Sequence, residues 1–407
     1  QLFRDRCEEL TLQTLFTDLT GDDKADWTYK QIDWKTKEIA SSFFSVESSP
    51  RVSIVSENSL DSACCDLACL MYDIFDTPLN VHFTDEIFEY IFNLLKINIV
   101  VVDSESRLNS LLKLREKCVS KYKIFYLGEY LEEEYADLFY LSSYPKRFNS
   151  KEIDQILEQR KPFSINEVAT TMFTSGSTGM PKGVSFSIYN LITKRYARSA
   201  AVPFVGGGEV QLCYLPLFHT FGRFLELLGS IYWRGTYVFA GNPSSHTLLN
   251  IFPKISPSVF ISVPVRWVQL YEKCVEVTAN DNDEEVIRLK IREIIGNNLR
   301  WGLSAAGWLD PKIFKFFQRN GVHLCSGFGM TEATGGITMT PPGDYKDNST
   351  GKPLPGVELK FGNNNELFIK GHYIARYLDD KGPGDIIPYP DEDGGDYWLA
   401  TGDVFQK

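Results

Sequence analysis

The sequence of 407 residues is 43% hydrophobic and carries a net charge of -11. That length exceeds one simple core and suits two or three packed units. The acidic balance excludes a protein that grips nucleic acid through a global basic field, and no apolar run approaches the ~20 residues that span a bilayer.

In chain order, Thr84 is expected to cap a helix with Asp85 and Glu86 in its first turn and an apolar stripe of Ile87, Tyr90, Ile91, Leu94 and Leu95. Ile97 to Val102 follows as a continuous apolar strand, the rhythm of a buried parallel sheet. Val168-Ala-Thr-Thr-Met-Phe173 reads as another buried strand, and a helix is expected from about Ser187. Ser258 to Val263 and Leu299 to Ser304 are further strand candidates. Asp310 caps a helix with Pro311 at its first position, Ile313, Phe316 and Phe317 on its inner face, and Asn320-Gly321 at its end. His323 to Ser326 then leads as a strand into a Gly-Phe-Gly loop. From about Gly351 the texture changes to prolines, glycines and short pieces such as Glu366-Leu-Phe-Ile-Lys370, which suggest a small β-barrel or sheet. The acidic run from Asp281 to Glu285 reads as a solvated loop or helix end.

Eight cysteines show no C-x-x-C pairs, and Cys65 and Cys69 lie one helical turn apart among apolar neighbours. Free buried thiols in a reducing, cytoplasmic setting are expected. The five histidines are dispersed, which argues against a zinc site. The chain opens at Gln1 with neither methionine nor a signal-like stretch, so it reads as trimmed, with a native leader left open.

The most informative stretch is Thr174-Ser-Gly-Ser-Thr-Gly-Met-Pro-Lys-Gly183. Strand, small-residue loop and helix is one way α/β proteins hold polyphosphate: glycines let N–H groups converge, hydroxyls add donors and a lysine adds charge. It is not a Walker loop. That pattern needs glycine and a hydroxyl residue where Pro181 and Gly183 stand around Lys182.

The loop resembles the signature of the adenylate-forming superfamily: acyl- and aryl-CoA synthetases, luciferases and peptide-synthetase adenylation domains. Ser326-Gly-Phe-Gly-Met-Thr-Glu-Ala333 resembles its Tyr-Gly-x-Thr-Glu motif, with Phe328 in place of tyrosine. Ser349-Thr-Gly-Lys-Pro-Leu-Pro-Gly356 is similar to its Gly-x-Pro-x-Pro-Gly turn, and Tyr397-Trp-Leu-Ala-Thr-Gly-Asp403 to its Trp-x-x-Thr-Gly-Asp. Near the start, Trp27-Thr-Tyr29 is similar to the family's opening segment. The motifs stand in the family's order over nearly the whole chain.

This resemblance implies an α/β fold: two intertwined lobes of mostly parallel sheets flanked by helices over 1–345, and a small β-rich subdomain over 346–407. A mobile C-terminal lid carrying a catalytic lysine would follow Lys407, so the chain reads as a large adenylation domain without it. The implied reaction activates a carboxylic acid with ATP and Mg²⁺. Thr174, Ser175, Gly176, Ser177, Thr178 and Gly179 would cradle the β- and γ-phosphates, with Lys182 near the departing pyrophosphate. Thr331 would bond the α-phosphate and Glu332 would hold Mg²⁺. Gly327, Phe328 and Gly329 would form the adenine platform, and Asp403 would accept from the ribose hydroxyls.

For the acid, Leu215-Pro-Leu-Phe-His-Thr-Phe-Gly-Arg223 resembles a segment of long-chain acyl-CoA synthetases and carboxylic acid reductases, placing His219, Phe221 and Gly222 beside the acyl group. Arg266 and Trp267 also resemble the long-chain ligase pattern. No carboxylate stands there to pair with an α-amino group, so a fatty or aryl acid is expected instead. Ser304-Ala-Ala-Gly-Trp-Leu309 aligns with the family's Ser-Gly-Gly-Ala-Pro-Leu. It places Ala305 beside adenine, and Ala306, Gly307 and Trp308 beside the acyl group, where the added atoms are expected to narrow a channel. The acceptor thiol would be CoA or the phosphopantetheine of a carrier protein. Two other readings stay open: the front end of a carboxylic acid reductase, and a non-catalytic nucleotide- or acyl-binding scaffold.

Overall fold

The structure is a computed structural model that describes residues 2–21, 24–132, 135–174, 179–241, 243–378 and 398–406. Two large, mostly parallel sheets flanked by helices form the body. The eight-stranded sheet runs, edge to edge, through Arg376–Tyr377, Lys182–Ser187, Val168–Thr174, Phe75–Pro78, Arg51–Val55, Ile99–Val102, Lys123–Tyr126 and Leu138–Tyr140. Its middle is parallel and fully buried, which explains why Ile99–Val102 is apolar on both faces.

The nine-stranded sheet runs through Lys352–Pro353, Gly335–Met339, His323–Met330, Trp301–Ser304, Val259–Ser262, Val210–Cys213, Thr236–Phe239, Thr14–Asp18 and Ala25–Thr28. Pairing is parallel from His323–Met330 through to Thr14–Asp18, and antiparallel at both edges. A third sheet of Val357–Phe361, Glu366–Gly371 and Leu399–Val404 is antiparallel. Among the described residues the expected small β unit is this open three-stranded sheet and not a closed barrel.

Several expectations shift in detail. The helix after Thr84 spans Asp85–Leu95, but it buries Phe88, Ile91, Phe92 and Leu95. Its sequence is apolar enough for two helical registers, and packing beneath the sheet selects the second. In Pro311–Arg319, Asp310 caps the Lys312 N–H as expected, while Phe314 replaces Phe316 on the buried face. All eight cysteines are free and buried. No helix among the described residues is long and apolar enough to cross a membrane.

Candidate active site

The strand Val168–Thr174 does not pass through its loop directly into a helix. The chain returns as a second strand, Lys182–Ser187, paired antiparallel with the first so that Thr174 stands opposite Lys182. Only then does the Ile188–Ala201 helix begin, capped by Ser187 in a reciprocal box with Asn190. Thr174 and Lys182 thus stand opposite each other at the end of an antiparallel strand pair, and the positive end of the helix lies a strand away from them. Ser175, Gly176, Ser177 and Thr178 lie outside the described residues. Thr174 is half-buried at the hairpin's base, whereas Gly179 and Lys182 are exposed.

The second motif also differs from its expectation. Gly327, Phe328 and Gly329 do not form a loop: the strand continues unbroken from His323 to Met330, with an irregularity between Phe328 and Gly329. A Cβ on Gly329 would fall 2.4 Å from the Gly335 carbonyl oxygen, so only glycine permits the two strands to approach here. Thr331–Ala333 makes one tight turn, and the chain comes back as Gly335–Met339. This places Thr331 half-buried and Glu332 buried at the apex.

Buried cations brace that apex from behind. Arg198 donates to the Thr334 carbonyl at 2.8 Å, and Lys194 donates to the Gly336 carbonyl. Lys194 also lies 3.8 Å from the Tyr373 ring centre. Burial, with Arg198 and Arg195 beside it, pushes the Lys194 ammonium well below the ordinary lysine range. These groups hold backbone carbonyls and rings, and the helix that follows the first hairpin thereby fixes the turn that carries Glu332.

Phe328 packs edge-on against Phe405, with ring centres 4.9 Å apart. Asp403, two residues before Phe405, is exposed on the three-stranded sheet. Phe328 therefore lies beside the segment that carries the exposed Asp403 carboxylate.

Behind Phe328 lies an apolar cavity of about 40 Å³, walled by Phe221, Ala305, Gly327, Trp233, Trp301 and Leu303 among others. Of the residues expected around the acid, Phe221 reaches this cavity, and so does Ala305, which is expected beside adenine. His219, Ala306, Gly307 and Trp308 are exposed, and Trp308 donates to the Asn348 side chain at 3.1 Å. Trp308 therefore does not narrow this cavity. Gly222 has a packing reason: a Cβ there would meet the Pro216 carbonyl oxygen at 2.3 Å. Trp267 is a core residue whose indole donates to the Leu303 carbonyl at 3.2 Å.

Sequence reasoning missed two features. Arg223, in the Phe221–Leu227 π-helix, is completely buried and bonds Asp66 at 2.5 Å, Asp76 at 2.7 Å and Thr170 at 2.5 Å. It ties the cavity-lining helix to the eight-stranded sheet. A lone aspartate in the apolar run Ser62-Ala-Cys-Cys-Asp-Leu-Ala-Cys69 was the available signal, because a charge in such a helix needs a buried partner. The second is Tyr377, whose hydroxyl donates to Glu332.

Among the described residues no group of three or more metal-ligating side chains is present. Glu332 alone is still a fitting Mg²⁺ ligand, since that ion keeps several waters and takes phosphate oxygens beside one or two carboxylates.

A family model described as AMP-binding enzyme matches residues 3–376. The chain belongs to the AMP-binding enzyme family. Within the family's reach, a long-chain-fatty-acid–CoA ligase of Rattus norvegicus is 25% identical over 365 residues, covering 78% of this chain and 49% of that protein. A long-chain-fatty-acid–CoA ligase of Xenopus laevis is 22% identical, covering 99% and 60%. The chain thus spans about half the length of the curated relatives it matches. Among solved structures, the inhibitor-bound N-terminal domain of FACL13 from Mycobacterium tuberculosis is similar with a TM-score of 0.73 at 15% identity, covering 99% of this chain and 94% of that one. The o-succinylbenzoate CoA synthetase of Bacillus subtilis, in complex with ATP and magnesium ion, gives 0.72 at 17%, covering 99% and 76%. These structural likenesses establish the fold: two mixed, mostly parallel sheets with a small antiparallel one.

Proposed function

We propose that this chain binds ATP and a carboxylic acid and joins them as an acyl-adenylate. A carboxylate oxygen bonds to the α-phosphorus as the bond from that phosphorus to the bridging oxygen breaks, and pyrophosphate leaves with its electron pair. A carboxylate is a poor acyl donor because its leaving group would be oxide; AMP is a far better one. In a second step a thiol, of CoA or of a carrier's phosphopantetheine, would displace AMP. The observation that carries this reading is that Tyr377 bridges buried Glu332, next to Thr331, and Lys182, while Phe328 of the same hairpin lines an apolar cavity and packs on Phe405, two residues from Asp403.

Each group has a physical task. Two anions must meet, so charge has to be neutralised and the partners aligned. Lys182 and the hydroxyl-rich hairpin supply cationic charge and donors, and Thr331 a further hydroxyl. Glu332 would hold Mg²⁺, which supplies charge compensation on phosphate oxygens. Phe328 offers a π-face to adenine, and Asp403 an acceptor to ribose hydroxyls. The cavity walls contain no carboxylate, so an α-amino group would be buried unpaired there. The long-chain relatives and the apolar lining both favour a hydrocarbon or aryl acid.

Exchange of labelled pyrophosphate into ATP tests the reading. It should depend on added acid, and it should fall at least about a hundredfold in Glu332→Gln if the carboxylate acts in the transition state. Exchange that ignores Glu332→Gln would refute that assignment.

A further inference from the structure

Glu332 and Lys182 sit on different sheets, and one short segment touches both. The Ala375 N–H donates to the Glu332 carbonyl at 2.6 Å, the Tyr377 hydroxyl donates to the Glu332 carboxylate, and the Leu378 N–H donates to the Gly183 carbonyl at 2.7 Å. Tyr377 pairs with Val184 in the strand leaving the small-residue hairpin. Its ring centre lies 5.4 Å from the Lys182 ammonium. A tyrosine at the edge of one sheet thus reaches the apex of a hairpin in the other, with Lys182 over its face.

We infer that Tyr377 is a positioning residue for Mg·ATP: its hydroxyl orients the Glu332 carboxylate, and its ring sets Lys182 beside it. The inference rests on the nucleotide reading above. A buried carboxylate rotates about its terminal bond unless a donor fixes it. The hydroxyl engages one oxygen and leaves the other for the metal. Outer donors of this kind change metal affinity by about ten- to a hundredfold when removed. Tyr377 is 41% exposed, so deleting one hydroxyl leaves the cores untouched.

Calorimetry on the chain with Mg·ATP, and separately with ATP in excess chelator, reads this directly. Tyr377→Phe keeps the ring and loses the donor. It should weaken Mg·ATP by about tenfold or more and leave metal-free ATP within about twofold. In a Glu332→Gln background the same change should have no further effect, because the cycle isolates the pair. Equal weakening of both ligands, tighter Mg·ATP binding, or an undiminished effect beside Glu332→Gln would overturn the inference. Failure of the unaltered chain to bind either ligand would instead sink the nucleotide reading, and the inference with it.

Discussion

Replacing Arg223 with methionine should be among the most damaging single changes in this protein. The guanidinium makes two bonds each to Asp66 and Asp76 through Nε and Nη2, with further contacts to Asp66 and Thr170. All three charged groups are almost wholly removed from water. Methionine fills much of the volume but leaves two buried acidic side chains without their donor, and breaking a buried pair from one side costs about 3–5 kcal/mol. Burial and the adjacent Asp66 already push Asp76 up to about 8, against the pull of Arg223. A folded value raised above the ordinary 3.8 means that Asp76 contributes fully below about pH 4; the contribution falls from there and is gone once pH passes about 8. Urea unfolding of the wild type and Arg223→Met across pH 5 to 8 is the assay. The deficit should be several kcal/mol at pH 7, and in the wild type the Asp76 contribution should decline across the same pH range. Adding Asp66→Asn and Asp76→Asn should recover part of it. A loss under about 1 kcal/mol at pH 7 would show that the buried cluster is not the tie described, since one-sided breakage of such pairs costs more.

Two further substitutions probe the site. Ala305 is buried on the cavity wall, so Ala305→Leu should weaken a dodecanoyl sulfamoyl adenosine by about tenfold or more relative to the acetyl analogue; equal losses would separate this cavity from acyl selection. Ala306 holds a φ of 63°, where a Cβ costs about 1–2 kcal/mol. Ala306→Gly should therefore raise the unfolding midpoint, and a lowered midpoint would mean that its side chain makes compensating contacts.

Local chemistry made much of this legible. Buried parallel strands are apolar throughout, so Ile99–Val102 is apparent in the sequence, and Asp310-Pro311 announces a helix start. The small-residue hairpin and the Thr331-Glu332 apex carry residue types that few other tasks demand together. What stayed hidden depends on distance along the chain. Lys182–Ser187 lacks strong strand signals, because its pairing with Val168–Thr174 fixes it. The glycines flanking Phe328 suggest a loop, yet the close approach of Gly329 to Gly335 requires glycine within a strand pair. Tyr377 meets Glu332 across 45 positions, and Arg223 meets Asp66 across 157; neither separation leaves a local pattern.

The central claim, a site that joins adenosine to a chosen acid, is tested most directly by calorimetric titration with a series of acyl sulfamoyl adenosines. These mimic the adenylate and span short, aryl and long aliphatic acids. The account predicts tight binding that discriminates among the acids, and a loss of about tenfold or more in Asp403→Ala for every member, because in the proposed site that carboxylate would serve the ribose alone. Binding that ignores both the acyl group and Asp403, or no binding across the series, would contradict it.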